Sequence, residues 1–406
     1  MSKKIAIVGG GAAGFFAAIA CAEANPANEV SIYESGSEFL TKVRISGGGR
    51  CNVTHACFDA RAMSERYPRG ERALISALHR FSASDTVAWF ERRGVRLKTE
   101  EDGRMFPVTD SSGTVIDCLL FEAKAAGVRL FSRRSVEAVR RTNEGFELQL
   151  VGGKMAVCDR LLLATGGTRS PIGGQIAETL GHTLAPPVPS LFSFHVSEGW
   201  LRALPGVSVE EVEASVPRTG LRARGPILIT HQGVSGPVIL RLSAWGARVL
   251  HALNYQFPLL VNWMPGSNLE SVRTQFLELR QTSPRRLVIN SPVGALPLRL
   301  WEKLSQLAGI DPVVRGTTLS RDQANALASL LVRTELSVHG KSLNKEEFVT
   351  CGGVKLSEVD FKTMQSRIVP GLYFAGEVLD IDGITGGFNF QAAWATGWIA
   401  GNAMAG

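Results

Sequence analysis

Six residues near the N terminus, Gly9-Gly10-Gly11-Ala12-Ala13-Gly14, constrain this chain more than any others. They follow an apolar stretch, Ile5-Ala6-Ile7-Val8, and lead into a run of small residues. A second apolar stretch, Glu29 to Tyr33, then ends on the acid Glu34. The order is strand, Gly-x-Gly-x-x-Gly turn, helix, strand, carboxylate, which is the opening unit of a Rossmann-like α/β sheet that holds an adenine dinucleotide. Gly9 permits the tight turn, Gly11 lets a pyrophosphate reach the backbone, and Gly14 lets helix and sheet pack closely. Glu34 stands twenty residues past Gly14, where a carboxylate can take ribose hydroxyls. The helix offers its N-terminal N–H groups and positive dipole end to the phosphates. Ile5 to Ala22 is also an uncharged run behind Lys3-Lys4, the pattern of a signal peptide or membrane helix. The glycines argue against that, because they fall where a strand should turn into a helix.

The 406 residues ask for two or three domains. Apolar residues make up 45% and charged residues 20%, a soluble globular composition. The net charge of +7 and pI of about 9.2 suit an anionic ligand or a nucleic acid. The basic residues are spread along the chain, however, so the charge reads as a solvated surface and no nucleic-acid partner is expected. Beyond the N-terminal unit no apolar run approaches membrane-spanning length, so no membrane partner is expected either. Cysteines stand at 21, 51, 57, 118, 158 and 351 without a Cys-x-x-Cys pair. That pattern indicates neither a zinc ribbon nor a dithiol, but reduced thiols in the cytoplasm and no metal. Oligomeric state is not legible.

Further along, Lys42 to Thr54 includes Ser46-Gly47-Gly48-Gly49, a loop of exposed amides suited to phosphate or flavin oxygens, or else a plain flexible turn. Helices are expected over 71–78, 84–93 (with Ser84 as N-cap) and 114–126. Strands are expected over 128–134 and 135–141, and a hairpin around Gly152-Gly153. Arg160 to Ala164 reads as a buried central strand ending at Thr165-Gly166-Gly167, the end at which an open α/β sheet keeps its ligand. The cluster Pro186-Pro187-Val188-Pro189 marks a domain boundary. Beyond it, strands at 191–195, 207–216, 225–230 and 256–263 suggest a small barrel or sandwich. Helices follow at 269–279, 298–308 and 321–332, the last capped by Ser320, before strands at 335–338 and 347–351. The expected division is 1–189 and 347–406 as the two parts of one domain, with 190–346 inserted. At the end, Leu372-Tyr-Phe-Ala-Gly-Glu377 is a strand tipped by an acid. Gly383, Gly386, Gly387 and Asn389 follow, then an Ala- and Trp-rich helix, 390–403. This second strand–acid–glycine–helix unit is more than a nicotinamide enzyme needs, which favours FAD over NAD as the resident ligand.

Three motifs carry a family resemblance: Ile45-Ser-Gly-Gly-Gly-Arg-Cys-Asn-Val-Thr54, Thr230-His-Gln-Gly-Val-Ser-Gly-Pro237 and Leu372 to Asn389. The chain resembles the BaiN/YhiN-like flavoproteins. The resemblance implies an FAD-dependent oxidoreductase with a Rossmann-like FAD domain of the glutathione-reductase and fumarate-reductase type, in two parts around an inserted β-barrel and helical domain. By that resemblance Gly9, Gly11, Ala13 and Gly14 cradle the pyrophosphate, and Glu34 takes the ribose with Lys42 nearby. Gly47, Gly48, Arg50, Cys51 and Asn52 line the flavin, and Val136 holds adenine through its backbone. Thr165 and Gly166 border the adenosine half, Gly376 and Glu377 meet the ribityl chain, and Gly387, Phe388 and Asn389 lie beside the ring. Many members of the wider class carry Asp at the position of Glu377.

FAD carries the hydride chemistry in such an enzyme, and the protein supplies position and access. The expected cycle draws electrons from NAD(P)H, for which no second glycine fingerprint exists, and passes them to a small-molecule, enone-like acceptor under the inserted domain. The alternative is a flavoprotein of RNA modification or regulation. His231 is either a proton donor or a turn histidine, Cys51 a redox thiol or a packed small residue, and Arg50 an anion-steadying group or half of an ion pair. Asp380 and Asp382 form a carboxylate pair or shape their loop. Trp394 and Trp398, four apart, read as core.

Overall fold

The apolar stretches pair in parallel, as their two-sided burial requires. In the computed structural model, which describes residues 2–167, 171–282, 284–342 and 349–406, strands β1 (Lys4–Val8), β2 (Glu29–Tyr33), β3 (Arg129–Phe131), β4 (Arg160–Leu163) and β5 (Leu372–Phe374) lie in the spatial order β3-β2-β1-β4-β5. Two short antiparallel strands, Val359–Asp360 and Gln365–Ser366, complete this seven-stranded sheet beyond β5. Helix α1 (Ala12–Ala24) follows β1, and the C-terminal helix α2 (Phe388–Ala405) packs against it. Both are rich in Ala and Gly for a steric reason. A Cβ at Gly397 would stand 2.5 Å from the Ala13 carbonyl oxygen, and one at Gly401 2.3 Å from that of Ala17. The two ends of the chain are thus locked together at a distance only small residues allow.

The chain forms two compact units, Met1–Ser190 with Lys345–Gly406, and Leu191–Asn344. The expected 346/347 boundary and the start of the expected 347–351 strand lie outside the described residues. The proline cluster stands just before the division at Ser190/Leu191. It sits in a strand, Leu184–Ser190, that pairs antiparallel with Val349–Val354, and the register shifts between Ala185 and Val188. Pro186 and Pro187 occupy that irregularity, where the ladder needs no N–H from them.

Local chemistry moves several other boundaries. The helix expected from Ser84 is Ala83–Glu91, and its cap is Ser82, which forms a capping box with Asp85. Lys42 to Ile45 are helical and lead into the Ser46–Gly49 loop. The Gly152-Gly153 hairpin joins Phe146–Leu150 to Lys154–Cys158, with Val136–Arg141 on the other side of the same antiparallel sheet. In the second unit, six antiparallel strands close a barrel in the order Ser193–Val196, Gly233–Ser235, Leu221–Ile229, Ser208–Val216, Phe257–Asn262, Thr334–Ser342. Its core includes Phe194, Val212, Ile227, Val234, Leu259 and Leu336, and helices Leu269–Thr282, Leu298–Leu307 and Arg321–Val332 add to it. Ser320 caps the last of these with Gln323, as expected. Among the described residues, no helix is long and apolar enough to cross a membrane.

Candidate functional site

The parallel strands end in a row. Glu34 follows β2, Gly9 follows β1, Thr165-Gly166 follow β4 by one residue, and Gly376-Glu377 follow β5 by one residue. Backbone hydrogen bonds hold these ends in step: Gly9 N–H donates to Tyr33 O (2.9 Å), Ala164 N–H to Val8 O (2.8 Å) and Ala375 N–H to Leu163 O (3.1 Å). Open α/β sheets bind ligands along this C-terminal edge. Val136, the buried first residue of its strand, follows Arg134, whose N–H donates to the Glu34 carbonyl (2.8 Å). Four sequence-remote segments expected to touch the adenosine, pyrophosphate and ribityl parts of a dinucleotide therefore meet at one sheet edge, and the segment leading to Val136 is tied to it through Arg134.

The glycines divide by what surrounds them. Gly9 has φ +112°, and a Cβ there would stand 2.3 Å from the Ala164 carbonyl oxygen; one at Gly14 would stand 2.1 Å from the Gly9 carbonyl oxygen. These two shape the turn and its packing. A Cβ at Gly11, Gly48 or Gly166 meets no atom within 4 Å, so these backbones face open space. Helix α1 has no side-chain cap and no acid in its first turn, so its leading N–H groups, Ala13 among them, are not claimed by a side chain. Such an edge fits an anionic, elongated dinucleotide. The Glu34 carboxylate accepts from Gly10 N–H (2.8 Å) and Gly36 N–H (2.7 Å), which aims it along the turn. Lys42 Nζ pairs with Glu377 Oε2 (2.5 Å), and Thr350 N–H donates to Glu377 Oε1 (2.8 Å). The longer acid is thus held by two partners that the sequence reading had not joined to it.

The second half of the site is a loop tied to α2. Gly47, Gly48 and Gly49 are all left-handed (φ +58°, +69° and +85°) and exposed. Three successive residues then bond to the C-terminal unit. The Asn52 amide is satisfied in one orientation: its oxygen accepts from Gly387 N–H (3.0 Å) and its nitrogen donates to Thr54 O (2.9 Å). Val53 O accepts from Trp394 Nε1 (2.8 Å), and Thr54 Oγ1 donates to Gln391 Oε1 (2.7 Å). Asn389 spends its side chain on Gly383, accepting from its N–H (2.8 Å) and donating to its carbonyl (3.0 Å). Phe388 is buried, with its ring stacked on His55 at 4.8 Å. Both residues therefore hold the loop through which Gly387 meets Asn52. Trp394 is core as expected, while Asp382 is buried and paired with Arg69 and Ser190 Oγ.

The candidate reactive side chains are placed differently. Arg50 pairs with Glu100 (2.7 Å) and lies 4.0 Å over the Phe106 ring, the ion-pair alternative. Burial pushes the Cys51 thiol up to about 12, which favours the packed, protonated alternative. His231 lies in the barrel unit, exposed at a turn in which Thr230 N–H donates to Gly233 O (2.8 Å). Sequence reasoning missed His55, Thr350 and Gln391. His55 directly follows the recognised Cys51-Asn-Val-Thr54 segment; burial holds its pKa down, and its Nδ1 is buried without a partner among the described residues.

Comparison with known proteins agrees with this geometry. The family described as the HI0933-like protein Rossmann domain matches residues 3–403. The ribosomal RNA dihydrouridine synthase of Escherichia coli K12 is 33% identical, over 97% of this chain and 95% of that protein. The 3-dehydro-bile acid delta(4,6)-reductase of Clostridium scindens is 30% identical, over 99% of each. Among solved structures, the 3-ketosteroid-delta4-(5alpha)-dehydrogenase of Rhodococcus jostii RHA1 shares the fold, with a TM-score of 0.51 at 15% identity over 100% of this chain and 97% of that one. With its dinucleotide-binding sheet edge and inserted barrel, the chain belongs to the HI0933-like family and is an FAD-binding oxidoreductase.

Proposed function

We propose that the chain is an FAD-dependent reductase that saturates a carbon–carbon double bond conjugated to a carbonyl, with NAD(P)H as electron source, and that it sits beside the BaiN/YhiN-type enzymes within its family. The row of loops at the sheet edge, joined to the Asn52–Thr54 ties on α2, carries this reading. The relatives support it. Dihydrouridine is uridine with one ring double bond beside a carbonyl saturated, and the delta(4,6) bonds of a 3-dehydro bile acid are conjugated to its ketone.

When bound, FAD supplies the two-electron carrier. Gly9, Gly11, Ala13 and Gly14 receive the pyrophosphate, Glu34 the ribose, and Val136, Thr165 and Gly166 the adenosine end. Lys42, Gly376 and Glu377 orient the ribityl chain. Gly47, Gly48, Arg50, Cys51 and Asn52 face Gly387, Phe388 and Asn389 around the ring, partly through backbone. In the net reaction a hydride equivalent adds to the carbon β to the carbonyl, a solvent proton adds to the α carbon, and NAD(P)H leaves as NAD(P)⁺. Reduced thiols at Cys21, Cys51, Cys57, Cys118 and Cys158 suit the cytoplasm.

One observation favours RNA over a free enone as the acceptor. Residues 191–344 carry sixteen Lys and Arg against ten Asp and Glu, whereas the remainder carries twenty-eight against twenty-seven. Nearly all the net positive charge thus belongs to the inserted unit, a partition that a search for basic runs overlooks and that suits a polyanion. The test is anaerobic NADPH addition to the FAD-loaded protein, followed by a cyclic enone or a uridine-containing ribosomal RNA. Bleaching of the flavin, then a product heavier by two hydrogens, is expected. A bound flavin that transfers electrons to neither acceptor refutes the proposal.

A further inference from the structure

Within the inserted unit, the barrel carries a cavity of about 320 Å³, walled by His195, Glu198, Arg202, Thr230, His231 and His339. That volume is in the range of small-ligand sites. The strand alternation explains the histidines. Phe194 and Val196 are buried in the barrel core, which turns His195 to the other face; Leu336 and Val338 do the same for His339. Gly233 lets the His231 turn approach, since a Cβ there would stand 2.1 Å from the Phe194 carbonyl oxygen.

Two of these side chains hold a buried polar atom without a partner among the described residues, His195 Nε2 and Glu198 Oε2. The Glu198 carboxylate is fixed through its other oxygen, which accepts from Ser337 N–H at 2.7 Å. Ser197 Oγ lies 3.2 Å from His339 Nδ1, and the His195 and His339 rings are 6.1 Å apart. Buried groups without partners are rare in native proteins, and here two of them belong to one cavity. A bare phosphate does not suit it, because Glu198 is acceptor-only and anionic. The carboxylate asks for an N–H donor, an imidazole N–H asks for a carbonyl, and the exposed Arg202 suits a phosphate at the rim.

We propose that this cavity is a nucleotide subsite that takes one ribonucleotide of an RNA strand, with a base that presents an N–H beside a carbonyl, as uracil and guanine do. The inference rests on the RNA reading above for the source of the nucleotide. Glu198 reads the base N–H, His195 the carbonyl, and Arg202 a backbone phosphate. Adenine and cytosine place an acceptor where uracil and guanine place the N–H, so they meet the carboxylate unfavourably.

Calorimetric titration of the FAD-loaded protein with UMP, GMP, CMP, AMP, uridine, inorganic phosphate and hexauridylate tests it, with histidine ring resonances reporting the place of binding. UMP and GMP are expected to bind roughly tenfold more tightly than CMP and AMP, in line with one charge-assisted hydrogen bond. Hexauridylate should bind at least as tightly as UMP. Glu198→Gln keeps the Ser337 contact but replaces the free acceptor by a donor, so it should abolish or reverse the base preference while flavin content stays unchanged. Arg202→Ala should weaken UMP but not uridine. Equal affinity for all four nucleotides, indifference to Glu198→Gln, or no shift of the His195, His231 and His339 resonances leaves a hydrated structural cavity and overturns the inference. Binding of UMP with exclusion of hexauridylate overturns the RNA source. A protein that binds UMP through Glu198 yet reduces no RNA keeps the subsite and loses the RNA substrate. One that reduces RNA without Glu198-dependent binding loses the subsite alone.

Discussion

Replacing Gly397 and Gly401 by alanine sets two opposed effects against each other, and their sizes decide the sign. Alanine is the better helix former by about 1 kcal/mol per site, so on propensity alone the double variant gains about 2 kcal/mol. Packing opposes this. The added Cβ atoms would stand 2.5 Å from Ala13 O and 2.3 Å from Ala17 O. Ordinary contacts lie near 3.5 Å, so α1 and α2 must part by roughly 1 Å. Backbone carbonyls cannot rotate away as a side chain can, and overpacking of this kind costs about 1–3 kcal/mol per site. Over the two sites that is about 2–6 kcal/mol, so packing should win, with a net loss of up to about 4 kcal/mol. The shift also moves the first turn of α1 away from Gly376, where a Cβ would already stand 2.9 Å from that of Ala13. FAD affinity should therefore fall with stability, by about tenfold or more. Urea unfolding of the apoprotein gives the first quantity, and quenching of FAD fluorescence on titration the second. Gly113→Ala, where the nearest contact is the Ser111 hydroxyl at 3.2 Å, is the control and should be close to neutral. A double variant as stable as wild type, with unchanged FAD affinity, refutes the close-packing argument.

Asp382→Ala removes the carboxylate from a buried pair and leaves the Arg69 guanidinium, 12% exposed, without its counter-charge. It should cost about 3–5 kcal/mol in urea unfolding, while replacing both partners by apolar residues should recover much of the loss. Glu34→Gln keeps the shape of an acceptor for Gly10 or Gly36 but loses the charge, and FAD titration should show roughly tenfold weaker binding, with absorbance of the bound flavin unchanged. Burial holds the His182 imidazole below its ordinary pKa, between Glu358 and Ser366. The unfolded chain takes the proton first, so stability is complete above about pH 6.5 and falls as pH drops toward the folded value, by up to about 1.4 kcal/mol per pH unit. His182→Asn should flatten that slope below about pH 6.5; an unchanged slope rules His182 out as its source.

Much of the first unit was legible because its chemistry is local. The Gly9–Gly14 turn, the acid at Glu34 and the strand ends at Thr165 and Gly376 are consecutive residues whose φ, size or charge has one use. The Gly152-Gly153 hairpin and the Ser320 cap were legible for the same reason. What stayed hidden depends on partners far away in sequence. Nothing local says that Asn52, Val53 and Thr54 bond in turn to Gly387, Trp394 and Gln391, or that Glu377 meets Lys42 and Thr350. The prolines at 186–189 were read as a domain boundary, and the two units divide just after them, but that they lie in a strand was hidden because proline is tolerated there only at an irregularity of the ladder. Helices Pro237–Trp245 and Ala247–Ala252 were passed over, although Pro237 at a first helical position was an available signal. The charge partition was missed because it is a property of a unit and not of any run.

A crystal structure of the FAD-loaded protein tests whether the two remote ends of the chain hold one dinucleotide between them. One dinucleotide is expected along the sheet edge, with its ribose at Glu34, its pyrophosphate across the first turn of α1, its ribityl chain at Glu377 and its ring against the Asn52–Gly387 contact. FAD held by the N-terminal turn alone, with Glu377 and Gly387 untouched, would contradict it.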